Sequence, residues 1–279
     1  MKSFNGRVAA ITGAASGMGR ALALALAREG CHLALADKNS QGLEQTLALI
    51  KSSTLAPVVI TTQVLDVSDR QAMEHWAARC VAEHGQVNLV FNNAGVALSS
   101  TVEGVDYADL EWIVGINFWG VVHGTKAFLP HLKACGEGHV INTSSVFGLF
   151  AQPGMSGYNA TKFAVRGFTE SLRQELDMQR CGVSATCVHP GGIRTDICRS
   201  SRIGARLLFI TDADQAAKAI LHGVRKNKRR VLIGRDAYFL DLLARCLPAA
   251  YQALVVFASR RMAPKPRTPV FETNDEPRL

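Results

Sequence analysis

Short apolar runs recur at residues 7–12, 31–37, 58–65, 87–91, 139–143, 183–189 and 230–233, and between them lie stretches with a different rhythm. In those stretches, at 19–29, 43–51, 70–84, 110–132, 159–180 and 214–225, apolar residues return every three or four positions. A short apolar run reads as a strand and a three-to-four period as a helix, so the chain is a strand–helix unit repeated to a seventh strand. Strands joined by helices must run parallel, and right-handed crossovers wind them into one sheet with helices on both faces. The expected fold class is therefore α/β, a single doubly wound parallel sheet of Rossmann type. With 48% hydrophobic and 19% charged residues in 279, the chain has ample material for such a core, and disordered, collagen-like and coiled-coil classes are excluded.

Chemistry in an open parallel sheet belongs at the C-terminal edges of the strands, and the residues there are informative. After the first run comes Thr12-Gly13-Ala14-Ala15-Ser16-Gly17-Met18-Gly19, leading into an Ala/Leu-rich helix. Glycines between a strand and a helix allow a tight turn and bring backbone N–H groups and the positive helix end up to a pyrophosphate. Their G-x-x-x-G-x-G spacing departs from G-x-G-x-x-G, and glycine turns also serve packing alone. Asp37 ends the second run 24 residues after Gly13, close to the offset at which a carboxylate binds the adenosine ribose hydroxyls. A carboxylate there repels a 2′-phosphate and favours NAD, while the adjacent Lys38 leaves NADP as the alternative.

Farther along, Tyr158 and Lys162 stand at i,i+4 on a helical stretch, which puts phenol and ammonium on one face. A nearby positive charge lowers the phenol pKa from about 10 toward the working pH, so the phenol can exchange a proton with an alcohol or carbonyl oxygen. Such a pair arises cheaply by chance. Its weight comes from the order in which the pieces fall at strand ends or in the helices that follow: the glycine turn, Asp66-Val67, Asn92-Asn93-Ala94-Gly95, Asn117, Ser144-Ser145, then the pair.

With these residues in view the chain resembles the single-domain members of the short-chain dehydrogenase/reductase family from about residue 6 to about residue 234. The likeness rests on T-G-A-A-S-G-M-G, N-N-A-G, Ser145 thirteen residues before Tyr158, Y-N-A-T-K, and His189-Pro190-Gly191-Gly192-Ile193-Arg194-Thr195. It implies that Tyr158 is the general acid/base, that Lys162 lowers its pKa and holds the nicotinamide ribose, that Ser145 hydrogen-bonds the substrate oxygen, and that Asn117 orients a water linking Lys162 to solvent. It further assigns Gly13, Ser16, Gly17, Met18 and Gly19 to the dinucleotide, Asp66 and Val67 to the adenine, Asn93, Ala94 and Gly95 to the adenosine and ribose side, and Pro190, Gly191, Ile193 and Thr195 to the nicotinamide end and phosphates. Taken alone, Ser144 reads as structural and His189 as a core or loop histidine. A narrower likeness, in residues 117–122 and 162–170, is to bacterial members acting on hydrophobic or lipid-derived alcohols.

The implied reaction is hydride transfer between a nicotinamide cofactor and a secondary alcohol or ketone. Val146, Phe147, Leu149, Phe150 and Met155 stand near the expected pocket, with Phe147 as a substrate contact. Ile197, Ile203, Leu207, Leu208 and Phe209 add apolar weight from the expected substrate loop, 192–210, although Arg194, Arg199, Arg202 and Arg206 leave room for an anionic substrate. The alternative, a non-catalytic nucleotide-binding regulator, would show a broken Ser/Tyr/Lys set; here the set is intact. No HExxH or clustered Cys/His pattern suggests a metal.

The catalytic domain is expected over 1–235, an apolar helical extension broken at Pro248 over 236–262, and a disordered Pro-rich tail over 263–279. Of the net charge of +8, residues 222–279 carry +7, from 12 Lys and Arg against 5 Asp and Glu. The favoured reading is a solvated helix end and an extension that covers the pocket or completes an oligomer. Peripheral contact with an anionic membrane is the less favoured reading, and nucleic acid is not expected. The resemblance implies a homodimer or homotetramer. Seven scattered cysteines without metal spacing, no signal-peptide pattern and no apolar run near ~18 residues point to a cytoplasmic protein with reduced thiols.

Overall fold

Seven strands form one wholly parallel sheet in the order β3-β2-β1-β4-β5-β6-β7 in a computed structural model that describes residues 1–54, 57–194 and 210–262. They are β1 (Val8–Thr12), β2 (His32–Asp37), β3 (Ile60–Val64), β4 (Leu89–Asn92), β5 (Gly138–Thr143), β6 (Val183–Pro190) and β7 (Arg230–Ile233). The chain winds outward from β1 to β3, then returns to lay β4 on the other side of β1. That reversal opens a crevice above the C-terminal ends of β1 and β4, where ligands bind in open α/β sheets.

Alternation along the strands sends side chains to two cores. Ala9 and Ile11 of β1 and Leu33 and Leu35 of β2 pack with α1 (Gly17–Arg28), α2 (Ser40–Ser53) and α7 (Ala213–Arg225). Val8 and Ala10, with Ala34 and Ala36, face α3 (Arg70–His84), α5 (Gly120–Ala134) and α6 (Ser156–Gln179). In this second core Trp76 of α3 meets Phe128 of α5 edge to face at 5.1 Å. Local chemistry fixes the helix ends: Asn39 and Asp69 accept from Gly42 N–H and Ala72 N–H, each at 3.0 Å, and α3 stops at Gly85, whose φ of 76° suits glycine.

The expected helix over 110–132 is longer and interrupted. It comprises α4 (Tyr107–Val114), a π-helical turn at Gly115–Trp119 and α5, and Asn117 lies in that turn. π-turns within helices frequently mark functional sites because they redirect one side chain at the cost of regular pairing. Helix α6 begins at Ser156, not near 159, so Tyr158 is already inside its first turn and the i,i+4 geometry with Lys162 holds. Asn159 secures this entry by donating its amide to Gln152 O at 2.9 Å and its backbone N–H to Met155 O at 2.8 Å. Edge strand β3 is shorter than the expected 58–65, and at its N-terminal side Val59 N–H is taken by the His32 ring at 2.9 Å. Beyond β7 come α8 (Arg235–Cys246) and α9 (Tyr251–Met262), separated by a break around Pro248. Thr195, the residues of the expected substrate loop from 196 to 209 and the 263–279 tail lie outside the described residues.

Candidate active site

The crevice at the strand reversal is lined by Gly13, Ser16, Gly17, Met18, Asp37, Lys38, Asp66, Val67, Asn93, Ala94 and Gly95. Of the eleven positions expected on the adenosine and pyrophosphate side, ten face it, and Gly19 packs against the Gly13 backbone behind it. A Cβ on Gly19 would sit 2.0 Å from Gly13 O, and one on Gly13 would sit 2.9 Å from Ala94 Cα. Gly13 and Gly17 also have φ of 68° and 51°, a region glycine adopts without strain. The G-x-x-x-G-x-G spacing thus encodes a turn that closes on its own helix and on the start of the β4 loop. Ser16, the N-cap of α1, makes no side-chain capping bond and lines the crevice at the positive helix end.

Hydrogen bonds stiffen this turn from three sides. The Asp37 carboxylate accepts from Ala15 N–H and Asn39 N–H, each at 3.0 Å, which leaves further lone pairs on each oxygen for hydroxyl groups. Thr12 Oγ1 accepts from Asn93 N–H at 3.0 Å and Ala94 N–H at 3.1 Å, and Asn93 Nδ2 returns a bond to Thr12 O at 3.1 Å. Below, Arg20 donates to Ala15 O, and also to Thr46 Oγ1 at 2.9 Å, Gly42 O at 3.3 Å and Gln45 Oε1 at 3.2 Å. Asp66 accepts from Ser68 N–H at 2.9 Å and Ser68 Oγ at 2.7 Å, so its turn is set before any ligand arrives. These residues fit a dinucleotide: a glycine cradle that a Cβ would fill, a helix N-terminus, and an acidic acceptor at the end of β2.

Gly95 joins this cradle to the second group. A Cβ there would lie 3.1 Å from Asn117 Oδ1 and 3.4 Å from Lys162 Nζ. Asn117 spends its amide on one backbone, accepting from Val96 N–H at 2.8 Å and donating to Val96 O at 2.9 Å, with Thr161 Oγ1 at 3.3 Å as a second acceptor. Lys162 is buried and donates to Thr143 O at 3.1 Å; its ammonium stands 5.6 Å from the centre of the Tyr158 ring. Burial pushes its pKa down from 10.5 to about 8, so it keeps its proton at neutral pH. Ser144 Oγ donates to Lys162 O at 2.7 Å, matching its structural reading. Ser145 Oγ accepts from Phe147 N–H at 3.2 Å and donates only a long 3.5 Å bond to Pro190 O. Its hydroxyl is therefore weakly committed.

Around Tyr158 the walls are aromatic. Phe147 meets it edge to face at 6.1 Å and stacks on Phe150 at 5.9 Å, and Phe150 touches Tyr251 of α9 at 5.5 Å. The extension therefore reaches the site. His189 is buried with Nδ1 3.0 Å from Ser145 O, and burial pushes its pKa down to about 4, so it is a neutral packing histidine beneath the site. Pro190, Gly191 and Ile193 lie beyond it at the end of β6, where Gly191 N–H donates to Ile233 O at 2.9 Å and Ile193 bridges Thr211. Gly192 N–H donates to the Asp236 carboxylate at 2.7 Å.

Thr12, Arg20, Asp236 and Tyr251 were not legible as site residues. For Arg20 the only sequence signal is its place directly after the glycine turn. Asp236 and Tyr251 fall in the extension that the sequence places over the pocket or in an oligomer contact, but nothing singles them out within it, because their partners are remote in the chain. Among the described residues no group of three or more His, Cys, Asp or Glu side chains is placed to hold a metal, and no helix is long and apolar enough to cross a membrane.

Residues 7–205 match the family model for short chain dehydrogenase. A Mycobacterium tuberculosis protein named as an oxidoreductase, SadH, is 45% identical over 276 residues, covering 95% of this chain and 99% of its own. Human estradiol 17-beta-dehydrogenase 11 is 31% identical over 257 residues, covering 91% of this chain and 83% of its own. A solved short chain dehydrogenase/reductase from Burkholderia phymatum in complex with NAD superposes with a TM-score of 0.77 at 28% identity, over 97% of this chain and 99% of that one. The glycine cradle on a parallel sheet that reverses between β1 and β4, read with these likenesses over nearly the whole chain, makes the protein an oxidoreductase of the short-chain dehydrogenase/reductase family.

Proposed function

We propose that the protein transfers a hydride between NAD and a hydrophobic secondary alcohol or the corresponding ketone. The observation that carries this reading is the Lys162 ammonium buried 5.6 Å from the centre of the Tyr158 ring, next to Gly95 at the end of a dinucleotide cradle. Gly13, Ser16, Gly17, Met18 and Gly19 would hold the pyrophosphate, Asp37 the adenosine ribose, Asp66 and Val67 the adenine, Asn93 to Gly95 the adenosine side, and Pro190, Gly191, Ile193 and Thr195 the nicotinamide end. When bound, the nicotinamide accepts or returns the hydride at its C4.

Everything else falls to the chain. In the oxidising direction Tyr158 Oη takes the proton of the alcohol oxygen as the hydride leaves the carbinol carbon, so a ketone remains; reduction reverses both transfers. The positive charge of Lys162 favours the phenolate needed for that step and would also bind the nicotinamide ribose. Ser145 Oγ, held only loosely by Pro190 O, turns to donate to the substrate oxygen and steadies its developing charge. Asn117 fixes the Val96 backbone, and with it Gly95, beside Lys162, and would orient a water linking Lys162 to solvent. Asp37 favours NAD over NADP because its carboxylate would repel a 2′-phosphate, whereas the adjacent Lys38 would favour it.

Phe147, Phe150 and Tyr251 give the substrate end an apolar aromatic wall, which supports a hydrophobic substrate; one relative is named as an estradiol dehydrogenase. We further propose a homo-oligomer, on the support of Trp112, Trp119 and Phe163, which leave 43%, 49% and 39% of their surfaces exposed between α4 and α6, and a cytoplasmic location, on the support of its scattered cysteines without metal spacing. The test is initial-rate nicotinamide absorbance with NAD and NADP in parallel against secondary alcohols of increasing chain length. The account expects turnover that prefers NAD and rises with chain length; no turnover with any alcohol, or equal rates at all lengths, contradicts it.

A further inference from the structure

Asp236 stands in the first turn of α8 but does not act as that helix's cap: the N-cap is Gly234, and no side chain caps it. Its carboxylate instead crosses to a residue 44 positions earlier, accepting Gly192 N–H at 2.7 Å. Two glycines make room for this crossing. A Cβ on Gly191 would lie 2.2 Å from Asp236 Oδ1, and one on Gly234 would lie 2.3 Å from the same atom. Oδ1 is itself buried without a hydrogen-bond partner, an unfavourable arrangement that a residue kept for stability alone would avoid.

The bonded residue sits at a junction. Thr211 N–H donates to Gly192 O at 2.8 Å and Arg194 N–H to Thr211 O at 3.0 Å, so residues 192–194 and 211 form one short ladder. Gly191 N–H, one residue before, is fixed to Ile233 O at the end of β7. The Asp236 side chain ties this ladder to the C-terminal extension.

We propose that Asp236 is a positioning residue for the nicotinamide end of the site: by holding Gly192 it sets the backbone of residues 190–194 that the ligand's reactive half would meet. This rests on the dinucleotide reading above. It predicts a split, since the adenosine half is held at Gly13–Gly19 and Asp37, across the sheet from Asp236.

The test compares full-length wild type, Asp236→Ala and Asp236→Asn in hydrogen exchange at Gly192, in affinity for ADP-ribose and for NAD, and in kcat. In Asp236→Ala, exchange at Gly192 should rise about tenfold or more. ADP-ribose affinity should stay within about twofold while NAD affinity and kcat fall about tenfold. Asp236→Asn, which keeps an oxygen for Gly192 N–H, should restore most of both and guards against an Ala variant that fails to fold. Unchanged exchange at Gly192, unchanged kcat and NAD affinity, or an equal loss of ADP-ribose and NAD affinity would each overturn the proposal. Wild type that binds neither nucleotide would instead overturn the dinucleotide reading, and this positioning role with it.

Discussion

Replacing Lys162 with Met should make the apo protein more stable while abolishing its activity. The ammonium has no carboxylate partner among the contacts described above, and burial lowers its pKa from 10.5 to about 8, which corresponds to ~3 kcal/mol lost to desolvation at 1.36 kcal/mol per pH unit. Met fills nearly the same volume without charge. Against that gain stands the bond from Lys162 Nζ to Thr143 O, worth ~1 kcal/mol. The net expectation is a variant about 2 kcal/mol more stable at pH 7. The sign of the pH dependence follows from the two pKa values: between pH 8 and 10.5 the unfolded lysine still binds its proton and the folded one has lost it. Stability therefore rises with pH across that window in the wild type but not in Lys162→Met, so the variant's advantage is flat below pH 8 and shrinks above it. Urea unfolding of both proteins at pH 7 and pH 9.5 measures the gap at each. A variant less stable than wild type at pH 7, or a gap that does not change with pH, would refute the reasoning.

Gly19→Ala should eliminate nucleotide binding, because its Cβ would fall 2.0 Å from Gly13 O and the cradle would have to open; calorimetric titration with NAD checks this, and retained affinity would contradict it. Phe128→Ala removes a fully buried ring from the α3–α5 core and should cost about 3–5 kcal/mol by urea unfolding, whereas a loss below ~1 kcal/mol would mean that the Trp76 contact contributes little. If α4–α6 form the subunit contact, Trp119→Glu should convert the protein to monomer in light scattering; an unchanged mass would locate the contact elsewhere.

The fold was readable because each strand carries residues for both faces and each helix a single apolar stripe, as in Val8 to Ile11 and in α7. The candidate site was readable because the sheet gathers strand ends that are far apart in sequence: Gly13, Asp37 and Asn93 line one crevice only through the order β3-β2-β1-β4. What escaped depends on single long-range bonds. Arg20 to Ala15 and Asp236 to Gly192 have no periodicity to betray them, and the π-turn that carries Asn117, whose side chain meets the Val96 backbone, has no signature in helix propensity. The short β3 likewise reflects its edge position, where one neighbour sets the limit of pairing.

The central claim, that Tyr158 exchanges the substrate proton beside a buried Lys162, is tested most directly by Tyr158→Phe. Removal of one oxygen should leave NAD affinity within about threefold of wild type and reduce kcat on secondary alcohols by about a thousandfold or more. Wild-type turnover by the Phe variant would contradict the account.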